Sequence, residues 1–324
     1  MGFPSGEIRS SDTPGQEPKI GSPPEPGILK GLAQRIQRAM NKLKKRGVKA
    51  AQAGIEKAQE IYRDVKEHHL FAASKQEKQK ILRRIVKRTE ELIKITKEVI
   101  EQVGKRCGRV KLQAAEKLKQ MVKVSRQLLP QVKSWMKTGI VAAEKIIHVG
   151  ITEARAIVKG QGKKQVKFGL KWLIHRLKGG YVFGKRVEAY ADENKMPEES
   201  LKDYQTVFGE GKVPEMSVYD RGASLSAVAE KLEAAGVKKV GIPPRGKGEW
   251  RVEKKDQEEV KSQRGMTEGV IGKLKSRKYG FSHRQERSAR TQEAVGQRAI
   301  VSANLKTLVR DLMIRLTIAK RAPV

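Results

Sequence analysis

Residues 216–242 read MSVYDRGASLSAVAEKLEAAGVKKVGI. Residues 216–219 form a short apolar run, residues 224–235 place Ala, Val and Leu on one helical face, and residues 237–242 form a second apolar run. This succession predicts a β-α-β unit whose strands run parallel through a right-handed crossover. Asp220 stands at the carboxyl end of the first of these strands, where open α/β sheets gather their functional groups.

Upstream, Val166, Phe168, Leu170, Trp172 and Ile174 recur with a period of two, the signature of a half-buried strand. Gly179-Gly180 then precedes Tyr181, Phe183 and Val187, which predicts a β-hairpin. An earlier strand is expected near residues 154–158. Downstream, residues 256–278 and 293–313 read as two helices, the second carrying Leu305, Leu308, Val309 and Leu312 on one face.

The first 27 residues hold Pro4, Pro14, Pro18, Pro23, Pro24 and Pro26, half of the 12 prolines, and read as extended or loop structure with little core of their own. From Ile28 to Leu129 there is no proline. Ile81, Ile85, Leu92, Val99 and Val103 make a helical stripe there, widened by Leu82, Ile95 and Ile100.

Charge sets this chain apart from an ordinary globular protein. The 70 Lys and Arg against 36 Asp and Glu give a formal +34 and a pI near 10.2. Self-repulsion of that size favours a polyanionic partner, with nucleic acid the first expectation. Residues 28–140 alone carry a net +20, and no acid occurs from Ile28 to Gly54 beside Lys42, Lys44, Lys45, Arg46 and Lys49. A solvated charged face and a phosphate-gripping face both remain open for that segment. The single Cys107 excludes an intramolecular disulfide framework and suits a reducing compartment. MGFPSGEIRS has no secretory pattern and no window approaches 18 apolar residues, so a soluble, intracellular, non-membrane protein is expected.

Several motifs dissolve on inspection. Residues 241–248, GIPPRGKG, approach a phosphate-binding loop, but Gly248 has no hydroxyl and Pro243-Pro244 remove two N–H donors; a basic loop after a strand is the better reading. Gly160-x-Gly162 is weaker still. His68 and His69 point about 100° apart on a helix and do not easily share a metal. Cys107 has no His or Asn pattern beside it and reads as an incidental thiol.

The segment at residues 261–275, KSQRGMTEGVIGKLK, carries more. On a helix Arg264 and Glu268 stack on one face and Lys275 returns to it two turns later, so a lone acid is framed by cations. An ordinary Arg–Glu pair and a functional site fit this spacing equally. The pattern R-x3-E-x6-K, together with VYDRG at residues 218–222, GVKKVGIPPRGKGEW at 236–250, TEGVIGKLKSRKYGF at 267–281 and the run at 145–169, resembles bacterial insertion-sequence transposases of the DDE type over roughly residues 140–312.

That resemblance implies an RNase H-like α/β core, a mixed sheet with flanking helices, interrupted by a large basic all-α insertion. It implies two Mg2+ or Mn2+ ions held by Asp220, Glu268 and a first carboxylate, with Arg264 and Lys275 near the DNA ends. Asp12-Thr13-Pro14 ahead of the proline-rich stretch resembles the family's DTT-type segment, which makes Asp12 that first carboxylate; Asp64 and Asp192 stay open as alternatives. Arg221, Arg245, Lys247 and Lys273 of the same motifs, and Lys42, Lys44, Lys45 and Arg46 of the insertion, are the further DNA-contact candidates. Pro14, Ser22, Lys261 and Lys167 depart from the family pattern, and relatives carry DNA-binding helices ahead of the first strand, so a truncated or decayed copy stays open. The expected organisation is a proline-rich segment with a candidate first strand at 1–27, a basic helical insertion at 28–140 and the catalytic core at 141–324. The expected function is metal-dependent strand cleavage and strand transfer at transposon ends and target DNA, in the cytoplasm at the nucleoid. A non-enzymatic DNA-binding remnant is the alternative, and a homodimer on DNA is among the arrangements left open.

Overall fold

In the computed structural model the chain is a mixed α/β protein, described over residues 5–17, 24–103, 108–159, 165–188, 191–220, 226–244, 249–282 and 288–321. It separates into two compact units, residues 1–19 with 156–324, and residues 20–155. In chain order the elements are β1 (Ser5–Asp12), β2 (Gly15–Gln16), α1 (Glu25–Lys44), α2 (Ala51–Leu70), α3 (Lys75–Gln102), α4 (Arg109–Thr138), β3 (Arg155–Lys159), β4 (Gln165–Lys178) and β5 (Val182–Arg186). They continue with α5 (Met196–Phe208), β6 (Met216–Val218), α6 (Ser226–Ala234), β7 (Lys239–Gly241), α7 (Lys254–Lys275) and α8 (Ala289–Arg321).

The helical unit has its own core. Leu29, Leu32, Ile36, Met40 and Leu43 of α1 repeat at three and four residues and are fully buried, as are Ile85, Leu92 and Val99 of α3. The expected α3 stripe is therefore the face turned inward. Ser74 and Glu77 form a capping box that starts α3. The unit extends past the expected limits of 28–140 at both ends. Helix α1 begins at Glu25, because a proline at the first turn needs no N–H partner and Pro26 fits there. After α4, Ile146 and Val149 bury themselves in the helical core and draw the segment after 140 with them.

In the other unit β4 is antiparallel to β5 and to β1, while β1, β6 and β7 are mutually parallel, giving the order β5-β4-β1-β6-β7. The β-α-β unit and the hairpin both stand where expected. Gly179 and Gly180, at φ 93° and 90°, supply the left-handed turn between β4 and β5. The expectation of little core before residue 27 fails. The candidate first strand within residues 1–27 is β1, the central strand, and Arg9, Ser10 and Ser11 are buried in it; a run of polar residues hid that burial. Beyond β1, β2 pairs with the same edge of β4, so closely that a Cβ on Gly169 would come 2.1 Å from the Gln16 carbonyl oxygen.

Helix α7 covers one face of this sheet. Its buried residues Val260, Gln263, Thr267, Ile271 and Leu274 follow a helical repeat, and Val260 packs with Met216 and Val218 of β6. Helices α5 and α6 cover the opposite face, where Leu201, Ala229, Leu232 and Val240 share a cluster. Among the described residues no helix is long and apolar enough to cross a membrane.

Candidate active site

Strands β1 and β6 run in parallel register, with Ile8 opposite Met216, Arg9 opposite Ser217 and Ser10 opposite Val218. Asp12 lies two residues beyond Ser10, and Asp220 two beyond Val218. Because side chains alternate along a strand, both carboxylates emerge on the face of Ser10 and Val218, from strands about 4.8 Å apart. Val218 packs on Val260, so this is the face under α7.

Helix α7 brings the rest. Its buried stripe seats it on the sheet, and Arg264 and Glu268, one turn apart, flank that stripe at the strand ends. Arg264 Nη2 donates to Asp220 Oδ1 at 2.6 Å and lies 3.9 Å from Glu268 Oε1. Asp12, Asp220, Arg264 and Glu268 thus line one small recess with Ser10, Ser11 and Thr267. All three expected carboxylates meet there, although 256 positions separate the first from the last in the chain.

The electrostatics follow from the crowding. Burial pushes the Asp12 carboxyl above its usual range, against the hydrogen bond its Oδ1 accepts from the Thr13 N–H at 2.7 Å; the charges of Asp220 and Glu268 add to the rise and Lys275 opposes it. Lys275, at the end of α7, also stands 3.6 Å from Glu17 Oε1. The side chains of Asp220 and Glu268 are 50% and 69% exposed, so the recess opens to solvent on their side.

On the hidden side of β1, Ser11 Oγ is 2.9 Å from both His175 Nδ1 and Ser200 Oγ, and His175 Nε2 is 3.1 Å from Asp203 Oδ2. This Ser-His-Asp chain is buried and reads as a polar brace between β1, β4 and α5. Burial lowers the His175 pKa to about 4 although Asp203 pulls it upward.

The other expected residues lie elsewhere or outside the described residues. Lys273 is on α7 but away from the recess. Lys42, Lys44, Lys45 and Arg46 are exposed at the end of α1 and just after it, in the helical unit. Arg221, Arg245 and Lys247 fall outside the described residues, as do Cys107, Gly160 and Gly162. The alternatives for the first carboxylate are accounted for by local structure: Asp64 is buried between Arg84 and Arg88, at 3.1 and 2.8 Å, and Asp192 caps a single 3-10 turn. Sequence reading missed Ser10 and Thr267, whose only signal was their spacing from Asp12 and Glu268, and Glu17, the partner of Lys275.

Oxygen donors of this kind suit Mg2+ or Mn2+. As the side chains stand, the positive charge on Asp220 is that of Arg264, and no three His, Cys, Asp or Glu among the described residues are gathered closely enough to hold one ion. No protein-family model, no curated protein and no solved structure matches this chain.

Proposed function

We propose that the chain is a DDE-type DNA transposase with an RNase H-like catalytic unit, acting on the ends of an insertion sequence and on target DNA. The observation that carries this reading is the convergence of Asp12, Asp220 and Glu268, from two adjacent parallel strands and a helix, on one recess beside Arg264. A mixed sheet with helices on both faces supports it at the coarse level, and so does the formal charge of +34.

Bound Mg2+ or Mn2+ would activate the attacking oxygen and stabilise the leaving one. Asp12, Asp220 and Glu268 are the residues that would hold it. The chain's own groups do the rest. Asp12 is held by the Thr13 N–H, so one of its oxygens has a set direction. Arg264 bridges Asp220 and Glu268 and offers further N–H donors to a phosphate oxygen. Lys275 supplies positive charge beside Asp12, where a scissile phosphate would add negative charge. In the reaction, water or a 3′-hydroxyl forms a bond to phosphorus and gives up its proton to solvent, and the 3′-oxygen leaves with the electron pair of the broken bond and takes up a proton in turn.

A catalytically silent DNA-binding remnant is the second reading, favoured by the same Arg264–Asp220 bond, which already neutralises one candidate ligand. The test is strand nicking or joining by the purified protein with Mg2+ or Mn2+ and the cognate ends. Under the proposal Glu268→Gln abolishes turnover while DNA affinity stays within about twofold, since affinity comes from Lys and Arg. Inactive unmutated protein that still binds DNA would establish the remnant. Joint loss of activity and affinity in Glu268→Gln would make Glu268 a structural partner of Arg264.

A further inference from the structure

Helix α7 has a second flank. At 100° per residue, Met266, Gly269 and Lys273 turn away from Arg264 and Glu268, to the other side of the buried stripe. They line a groove of about 690 Å³ that is closed by the β4–β5 turn at Gly179-Gly180 and by α8. Five cations surround it: Arg176, Lys273, Lys278, Lys306 and Arg310. No Asp or Glu is among its described lining residues.

The cations differ in their ties. Arg176 is nearly buried and held at the floor by Gln263 Oε1 at 2.6 Å; Arg310 is bonded to the Gly179 carbonyl at 3.0 Å and to Asp311 at 2.7 Å. Lys273, Lys278 and Lys306 have no partner among the described residues. Asp311 offsets the charge of Arg310 and Glu259 favours that of Arg176, whereas the three lysines bring positive charge to one concavity that no described side chain pairs. A Cβ on Gly269 would meet nothing within 4 Å, so the helix backbone is also open to a ligand there.

We propose that this groove binds the phosphodiester backbone of DNA, as a site separate from the carboxylate recess. The open concavity with cations on α7, α8 and the floor suits successive phosphates, and Ser276 on its wall adds a hydroxyl donor. The identity of the strand rests on the reading of the recess as a DNA-processing site; the charge arrangement stands without it. Lys273 thereby gains a role different from that of Arg264 and Lys275: it holds backbone on the far flank of α7, away from the reacting phosphate.

The experiment uses the full chain and a labelled DNA duplex, with binding followed by fluorescence anisotropy across a salt series. The combined Lys273→Glu, Lys278→Glu and Lys306→Glu protein is compared with a control of equal charge change, Lys202→Glu, Lys238→Glu and Lys255→Glu, at exposed positions of the same unit. Circular dichroism confirms that both fold. The groove variant is expected to bind at least about tenfold more weakly, with a log–log salt slope smaller by about 3, while the control loses no more than about threefold. Equal weakening of both variants, or an unchanged groove variant, overturns the proposal. If no cleavage is ever found yet the groove variant alone loses affinity, the transposase reading fails and the groove stands. If Glu268→Gln stops cleavage while the groove variant binds like the unmutated chain, only the groove falls.

Discussion

At the scale of single residues, the recess is built at a cost to stability. Asp12 is partly buried beside two further carboxylates, an arrangement that disfavours its charge. Asp12→Asn removes the charge and keeps the shape. In the absence of divalent cations it is expected to stabilise the protein at neutral pH by on the order of 1 kcal/mol, or about 2–4 °C in Tm. An unchanged or lower Tm would mean that the Thr13 and Lys275 contacts outweigh the crowding. His175 behaves in the opposite sense on the other face of β1. It is fully buried and faces Arg9, Asp203 and Lys185, and its pKa falls to about 4 from 6.5. Between those values the unfolded chain binds a proton that the folded chain refuses. Stability is therefore complete above pH 6.5 and drains away as pH falls towards 4, by roughly 3 kcal/mol at most. Urea unfolding across this window checks it: His175→Gln, which does not titrate, should lose that slope whatever its stability at pH 7.

Glycines separate the roles of α7 and α8 at the scale of elements. Gly296 of α8 lies against the fully buried Trp172, and a Cβ there would meet ring carbons at 2.3 and 2.5 Å. Trp172 cannot yield, because its Nε1 donates to Gln16 at 2.9 Å and its ring packs edge-on to Phe281. Gly296→Ala is expected to destabilise by about 1–3 kcal/mol despite its better helix propensity. Gly265 and Gly272 of α7 face open space, so alanine at either should stabilise by up to about 1 kcal/mol. Thermal melts that ranked the three alike would refute this packing. These contrasts also show what was legible beforehand. The period-two run of β4 and the spacing of α7 depend on local pattern, and both elements stand where pattern put them. Strand β1 reads as RSSD at its functional end, with Arg9 and Ser11 buried through partners 164 or more positions away, such as His175, Ser200 and Ser217. No local pattern signals such burial. The apolar stripe of Leu305, Val309 and Leu312 was legible as a stripe, but its exposure was not: Asn304 and Asp311, on another side of α8, hold it to the hairpin.

At the scale of the whole molecule, charge and core divide the chain differently. The helical unit reaches from Ile20 to Arg155 because Ile146 and Val149 join its core, which no periodicity in that irregular segment announced. Its basicity was plain in composition, but composition leaves two explanations for Lys42, Lys44, Lys45 and Arg46. Lys42 and Lys44 occupy the last turn of α1, where the helix dipole favours cations by about 0.3–1 kcal/mol each. The four are also exposed, and no described side chain pairs with their charges. Replacing all four by Gln tells the two apart. If they only complement the helix end, Tm falls and DNA affinity is unchanged. If they grip phosphates, affinity falls by a similar factor for unrelated duplexes, and the log–log salt slope shrinks by up to about 3.6. The second outcome is expected, because the stretch from Ile28 to Gly54 contains no acid, and cations that merely cap a helix need no such exclusion around them. A salt slope that does not move in the variant would return these residues to the helix and leave the groove beside α7 as the stronger candidate for backbone contact.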